Sequence, residues 1–356
     1  MNLLSTMQKV EGLNYLNLVT KAYFNQLYTQ PYSIPLYAYI DLIEQIKKRK
    51  SFRIFTNNPT AYPHPSVPNL YVTNLGNLVL QVVKDNVINP YTNGVFQNAL
   101  IHPEINLLSQ LMSKHNINSI FIGEYQLLEH FCETCFADFK VHIQTRAFIS
   151  QNRRWSYKYS CSVASYNRFL EFILGETERF EVHSIVVQRK LRDGRESAFG
   201  DLDFRDMSAY EIAQEKSNQI IQSVWRNRRK NNVIGILSRE EVDIDQTCMV
   251  RLLFFVRKKF SDLVPFKDTP LYNAIEPFFK DLNLDRVALG EVYTMNSGIA
   301  PLYQEQEQNY YDINQVHVGN RLNILKTQLT VPDYWFRIRD QETSLKIERG
   351  QAHFER

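Results

Sequence analysis

Cysteine and glycine are both scarce in this chain, and each scarcity excludes something. Four cysteines in 356 residues cannot staple a chain of this length. A disulfide-built secreted scaffold is therefore excluded, and a reducing cytoplasm is the expected home. Only 12 glycines are present, which argues against a loop-dominated fold. Long apolar runs are missing too: no stretch approaches the roughly eighteen uncharged residues that a spanning helix needs. The opening MNLLSTMQKVEGLNYLNLV carries Glu11 and no compact apolar segment, so it does not read as a signal peptide. Neither sign of charge dominates. The balance of 41 basic and 38 acidic residues leaves +3, too little to indicate a nucleic-acid partner unless the placement of the charges does.

What is plentiful is aromatic: 20 Tyr and 22 Phe, enough to build the cores of two domains. Residues 1–150 mix short helical and strand-like segments. The clearest helix runs from Ile34 to Lys50. Pro35 suits its first turn, Leu36, Tyr39, Ile40, Ile43 and Ile46 recur at helical spacing, and Lys47 to Lys50 suit its C-terminal end. Phe52 to Phe55 reads as a strand, Asn57 to Asn69 as a Pro- and Asn-rich loop, and helical patterns return at 104–115 and 124–136. The segment QNRRWSYKY, Gln151 to Tyr159, marks a change of pattern, and a domain boundary is placed after residue 150.

Beyond it the elements become regular. Phe180–Lys190 is a β-rich run. A helix opened by the capping box Ser208/Glu211 ends in RNRRK, Arg226 to Lys230. Strands follow at Asn232–Arg239 and Cys248–Arg257, then a helix starting at Thr269-Pro270 and interrupted by Pro277, then a strand at Arg286–Thr294. Strand, helix, strand, strand, helix, strand predicts an α+β, ferredoxin-like domain over 151–345: an antiparallel sheet with two helices on one face and the other face free for a ligand. Residues 346–356 are expected to be a C-terminal tail.

Within this region VIGILSREEVDIDQTCMVRLLFF, Val233 to Phe255, resembles the core of the inovirus-type replication initiators, the group that includes the YagK/YfjJ C-terminal domain. There a strand of type I-G-x-x-x-x-E turns into H-x-H-h-h-h-F. The preceding helix with its basic end fits the same pattern, as does RLNILK, Arg321 to Lys326. The resemblance covers roughly half the chain and implies an HUH endonuclease scaffold. In such a site two histidines on one strand face hold Mg²⁺ or Mn²⁺ and a tyrosine attacks the phosphate. At the matching positions this chain has Met249 and Arg251, and it contains no His-x-His. A thioether and a guanidinium do not replace two imidazoles on a hard cation. Glu240 and Glu241 are the carboxylates left for a metal. Arg251 has two readings: a cation aimed at the phosphate in place of the metal, or a cross-strand partner of Glu240 or Glu241.

Other candidates also have two readings. Tyr303, Tyr310 and Tyr311 lie where a nucleophile would sit, with Lys326 as the accompanying cation, although packing explains a tyrosine equally and a solvated helix face explains the lysine. Asp201/Asp203 and Asp243/Asp245 have the spacing of a palm-type magnesium pair, but turn chemistry favours Asp at such places. Cys132 and Cys135, preceded by His130, resemble half a zinc site or two cysteines sharing a buried helix face. The basic residues fall into three groups: Arg153, Arg154 and Lys158 interleaved with Trp155, Tyr157 and Tyr159; Arg226, Arg228, Arg229 and Lys230; and Arg257, Lys258 and Lys259. Each alone is an ordinary solvated end, and together they suit a phosphate-tracking surface with stacking rings.

The expected function is DNA binding, to a single-stranded or hairpin origin, in replication of a phage, prophage or plasmid-like element. Nicking is expected to be impaired or absent, with Mg²⁺ or Mn²⁺ as cofactor only where it persists. The alternative is a non-enzymatic regulator or protein-interaction module that pairs with itself or with a host replication protein.

Overall fold

The computed structural model describes residues 36–58, 61–63, 70–85, 100–117, 125–189, 207–242, 248–258, 266–281, 285–290, 310–316, 318–330, 332–337 and 345–350. The chain divides into two compact units, Met1–Tyr157 with Tyr334–Phe336, and Lys158–Asp333 with Arg337–Arg356.

The first unit is mainly helical. It holds α1 (Leu36–Lys48), a small antiparallel sheet of β1 (Phe55–Thr56), β2 (Tyr62–Pro63) and β3 (Tyr71–Val72) in the order β1-β3-β2, and α2 (Asn74–Asp85). β4 (Leu100–Ile101), α3 (Pro103–Lys114), α4 (Tyr125–Ile143) and the start of α5 (Arg146–Glu176) complete it. The helical stripe of α1 is the buried one: Tyr39, Ile40, Ile43 and Ile46 all lie in the core. At the start of α3, His102 Nδ1 accepts from the Glu104 N–H while Pro103 takes the first helical position. Glu104 in turn receives Lys47 Nζ at 2.7 Å and Asn152 Nδ2 at 3.3 Å. QNRRWSYKY is not a junction between elements. It lies inside α5, 31 residues long, because Trp155, Tyr159, Ser162 and Tyr166, all buried, keep a helical period straight through it.

The second unit is a layered α+β assembly. The rest of α5 leads to β5 (Arg179–Arg189), α6 (Met207–Arg226), the single turn α7 (Arg228–Asn231), β6 (Val233–Val242) and β7 (Cys248–Arg257). After them come α8 (Pro270–Ile275), β8 (Lys280–Asp281), β9 (Asp285–Gly290), β10 (Tyr310–Asp312), α9 (Val318–Thr330) and β12 (Leu345–Arg349); between the last two, α10 (Pro332–Trp335) and β11 (Phe336–Arg337) carry Tyr334–Phe336, which belongs with the first unit, where β11 pairs with β4. Thr269 caps α8 by accepting from the Tyr272 N–H, with Pro270 at the first turn and Pro277 closing the helix in a 3₁₀ turn.

The sheet runs β12-β6-β7-β5-β9-β8, antiparallel throughout, with β10 pairing the start of β5. β5 and β6 are both antiparallel to β7, which lies between them, so they run parallel and α6 is the crossover that links them.

Both faces of this sheet are covered, which corrects the expectation of a free face. On one, Ile185, Val187, Ile236, Leu252 and Phe254 pack with Ile220, Ile221 and Val224 of α6 and with Leu271 and Ile275 of α8. On the other, Phe180, Val182, Leu237, Leu253 and Phe255 pack with Tyr166, Phe169 and Ile173 of α5 and with Leu322, Leu325 and Leu329 of α9. The uninterrupted run LLFFV in β7 has this cause: a strand buried on both sides has no polar alternate positions. Each large side chain buried in this way contributes about 1.5–3 kcal/mol.

A candidate anion cleft at the end of the sheet

Four chain segments come together at the end of the second unit's sheet. α6 stops at Arg226, α7 makes one turn, and Asn232 adopts a left-handed conformation (φ 55°) that turns the chain into β6. The Asn232 carbonyl accepts from the Arg257 N–H at 2.8 Å, tying the end of β7 to the start of β6. β12 arrives alongside β6, with a register shift between Ile347 and Arg349. Gly350 follows it, with φ 95°, and a Cβ there would lie 2.9 Å from Gly235 Cα and 3.0 Å from the Ile234 carbonyl oxygen. Only glycine suits that close approach.

Between these segments and the end of α5 lies a cleft of about 760 Å³, lined by Phe172, Glu176, Trp225, Arg228, Arg229, Arg257, Glu348 and Arg349 among others. Four arginines and two glutamates are among the lining residues, a formal excess of two positive charges. Arg257 is held in place: its Nη2 donates to the Glu176 carbonyl at 2.9 Å and to Glu176 Oε2 at 3.0 Å. The Arg228 guanidinium lies 4.8 Å from the centre of the Trp225 ring, a cation–π distance. Arg349 Nη1 donates to the Glu348 carbonyl at 2.7 Å, and the Glu348 carboxylate accepts from Ser238 Oγ. Among the described residues no ion pair engages Arg228 or Arg229. α5 and α6 both end here, so some of this charge answers helix C-terminal carbonyls. Arg257, although it comes from a strand, has that role at the end of α5; Arg349 does not.

The cleft gathers Arg228, Arg229 and Arg257 of the sequence candidates, with Arg226 and Lys230 exposed on the same turns. Other candidates lie elsewhere. The Lys258 side chain is 8% exposed, its Nζ 3.0 Å from Glu181 Oε2, which also meets His183 Nε2 at 3.0 Å. It is a core ion pair and not a phosphate contact. Burial alone would raise the Glu181 carboxyl, but the hydrogen bonds from His183 and Lys258 outweigh it and hold the group below its ordinary value. Arg153 and Arg154 are exposed on α5 in the first unit, and Lys158 is half-buried at the start of the second. Trp155 is not a stacking platform: it is buried, its indole N–H donates to the Tyr334 carbonyl, and His102 packs edge-on against its ring.

Arg251 is also inside. It is 6% exposed, donates from Nη1 to Ser184 Oγ at 3.2 Å, and stands opposite Arg239 in the β6–β7 register. The face it shares with Leu253 and Phe255 is covered by α5 and α9, so no phosphate reaches it. Glu240 points to the opposite face, where Gln214 Nε2 donates to its Oε1 at 2.7 Å and Lys346 Nζ at 2.8 Å. The side chains of Glu241 and Met249 lie outside the described residues.

The tyrosines sit on a strand and not on a helix. Tyr311 pairs with Phe180 across β10 and β5, stacks on its ring at 5.0 Å, and carries the Arg321 guanidinium 4.8 Å from its own ring centre. Burial pushes its phenol up to about 12. Burial, and then the charge of Asp312, also raises Tyr310. A nucleophile needs the reverse shift and an open approach, so neither phenol is activated. Lys326 lies half-buried on α9. Tyr303, Lys259, Asp201, Asp203, Asp243 and Asp245 lie outside the described residues. Cys132 and Cys135 are free thiols in the core of α4, raised first by burial. Among the described residues no group of three or more metal-binding side chains converges, and no helix is long and apolar enough to cross a membrane.

Sequence reasoning missed Arg349, Glu348 and Glu176. The alternation in LKIER, Leu345 to Arg349, was the available signal for a strand where a tail was expected. No family model, no curated protein and no solved structure matches this chain.

Proposed function

We propose that the second unit binds DNA through the cleft at the end of its sheet, on a ferredoxin-like scaffold of replication-initiator type, as part of replicating a phage, prophage or plasmid-like element. The observation that carries this reading is the meeting of Arg228, Arg229, Arg257 and Arg349 beside Trp225 from three separate segments. Guanidinium forks suit phosphate oxygens, and the adjoining aromatic suits a base. The strand order supports the scaffold half of the proposal. Within β5-α6-β6-β7-α8-β9 the spatial order is second, third, first, fourth, the order that a split βαβ arrangement requires.

The proposed role is binding and not nicking. Arg251 is enclosed and Glu240 is committed to Gln214 and Lys346, so these two motif positions serve the fold. The test is fluorescence anisotropy of labelled single-stranded, hairpin and duplex DNA over a salt series, for the wild type and for the double variant Arg228→Ala/Arg229→Ala. The reading expects log Kd to rise linearly with log salt, with a slope about two units shallower in the variant. Salt-independent binding, or an unchanged slope in the variant, would sink it. Absence of any DNA binding together with a defined oligomer would favour the interaction-module alternative.

A further inference from the structure

We infer that the cleft receives the end of a nucleic-acid strand, a terminal nucleotide with its phosphomonoester, and does not track a continuous backbone. The inference rests on the DNA-binding reading above and adds the part of the nucleic acid that is recognised. Three observations carry it. The first is shape. The end of α5, the α6–α7 turn, the paired ends of β6 and β7, and β12 with Gly350 bound the cleft on several sides. Its volume of about 760 Å³ is that of a small-molecule site, not of a groove that a duplex lies along. The second is charge. The excess of two positive charges over Glu176 and Glu348 matches a phosphomonoester, which carries about −1.5 to −2 at neutral pH, where each internal phosphodiester carries one. A run of phosphates passing through would have to pass these two carboxylates. The third is the Arg228–Trp225 contact. It sets a guanidinium and an aromatic ring where a base can lie, beside the Arg229 and Arg349 guanidinium groups that can take the phosphate oxygens.

The experiment compares one short oligothymidylate with and without a 5′-phosphate, and with and without a 3′-phosphate, on the wild-type full chain at fixed low salt. Free thymidine 5′-monophosphate serves as competitor. The expected result is that one terminal phosphate tightens binding about tenfold, and that the gain disappears in Arg229→Ala/Arg349→Ala. Competition by the mononucleotide would show that the terminal residue alone is enough. Equal affinity for all oligonucleotides would overturn the inference while leaving cleft-dependent DNA binding in place. No binding of any of them would overturn both. A gain that persists in the double variant would place the terminal phosphate elsewhere and overturn the inference as well. The main comparison is made on the wild type, so it does not depend on how well a variant folds.

Discussion

The second unit holds two populations of cations, and their surroundings differ. Arg239, Arg251 and Lys258 sit within or against the sheet, each nearly buried and each bonded to the protein itself. Arg239 Nη1 donates to the Leu329 carbonyl at 2.9 Å and its Nη2 lies 3.6 Å from Asp333 Oδ1, and Asp333 also accepts from Ser162 Oγ. Arg228, Arg229, Arg257 and Arg349 stand at the sheet's end around an open cleft. In the sequence the two populations look alike: Arg251 and Arg257 are six residues apart on one strand. Their surroundings separate a cation that the fold needs from one that a ligand can use.

Arg239 carries the largest expected effect among the buried cations. Its replacement by alanine leaves the Asp333 carboxylate buried beside an empty place, and a loss of about 3–5 kcal/mol is expected in urea denaturation. A loss below about 1 kcal/mol would show that the buried population is dispensable. Gly350→Ala comes next. The left-handed backbone and the contact with Gly235 should cost on the order of 1–3 kcal/mol and displace β12, so DNA affinity should fall although no charge has been removed. For Arg228→Ala/Arg229→Ala the expected change in stability is within about 0.5 kcal/mol, while the salt slope of DNA binding drops by about two. A large loss of stability there would mean that the cleft arginines serve the helix ends.

Glu181 tests the buried population through pH. Its folded-state value is depressed, so its stabilising contribution is present above its unfolded value of about 4.3 and is lost as pH falls through the folded value. Glu181→Gln should therefore be less stable than wild type near neutrality, and the gap should narrow as the medium is acidified below about pH 4. A gap constant with pH would refute the ionic role. The smallest expected effect is that of Arg154→Ala: no change in cleft binding beyond about twofold, read by the same anisotropy titration.

Much of the second unit was legible in the sequence. Its strand–helix order, the cap at Thr269, and the basic ends at Arg226–Lys230 and Arg257 follow from periodicity and capping chemistry that act over a few residues. What could not be read was long-range. Trp155 looks the same in sequence whether it stacks on a base or donates to Tyr334, and Lys258 is one position from the exposed Arg257. The closed second face depends on α5 and α9, one before β5 and one between β10 and β12, and no local pattern says that they fold back over one sheet. Arg349 was overlooked because five residues make a weak strand signal until β6 is there to pair with them.

Tyr334–Phe336 belongs with the first unit although its neighbours on both sides belong with the second. Trp155 donates to the Tyr334 carbonyl, and the Tyr334 ring lies 4.7 Å from that of His102. On a ribosome the chain emerges from its N-terminus, and domains generally fold in that order. Here the first unit cannot be finished early, because three of its residues, Tyr334 to Phe336, are made only after Lys158–Asp333 of the second. Until they arrive, the Trp155 indole and the His102 ring lack a partner that they have in the native structure. A truncation before residue 334 should thus impair the N-terminal domain, the one farther from the cut in sequence, and limited proteolysis of stalled nascent chains would reveal it.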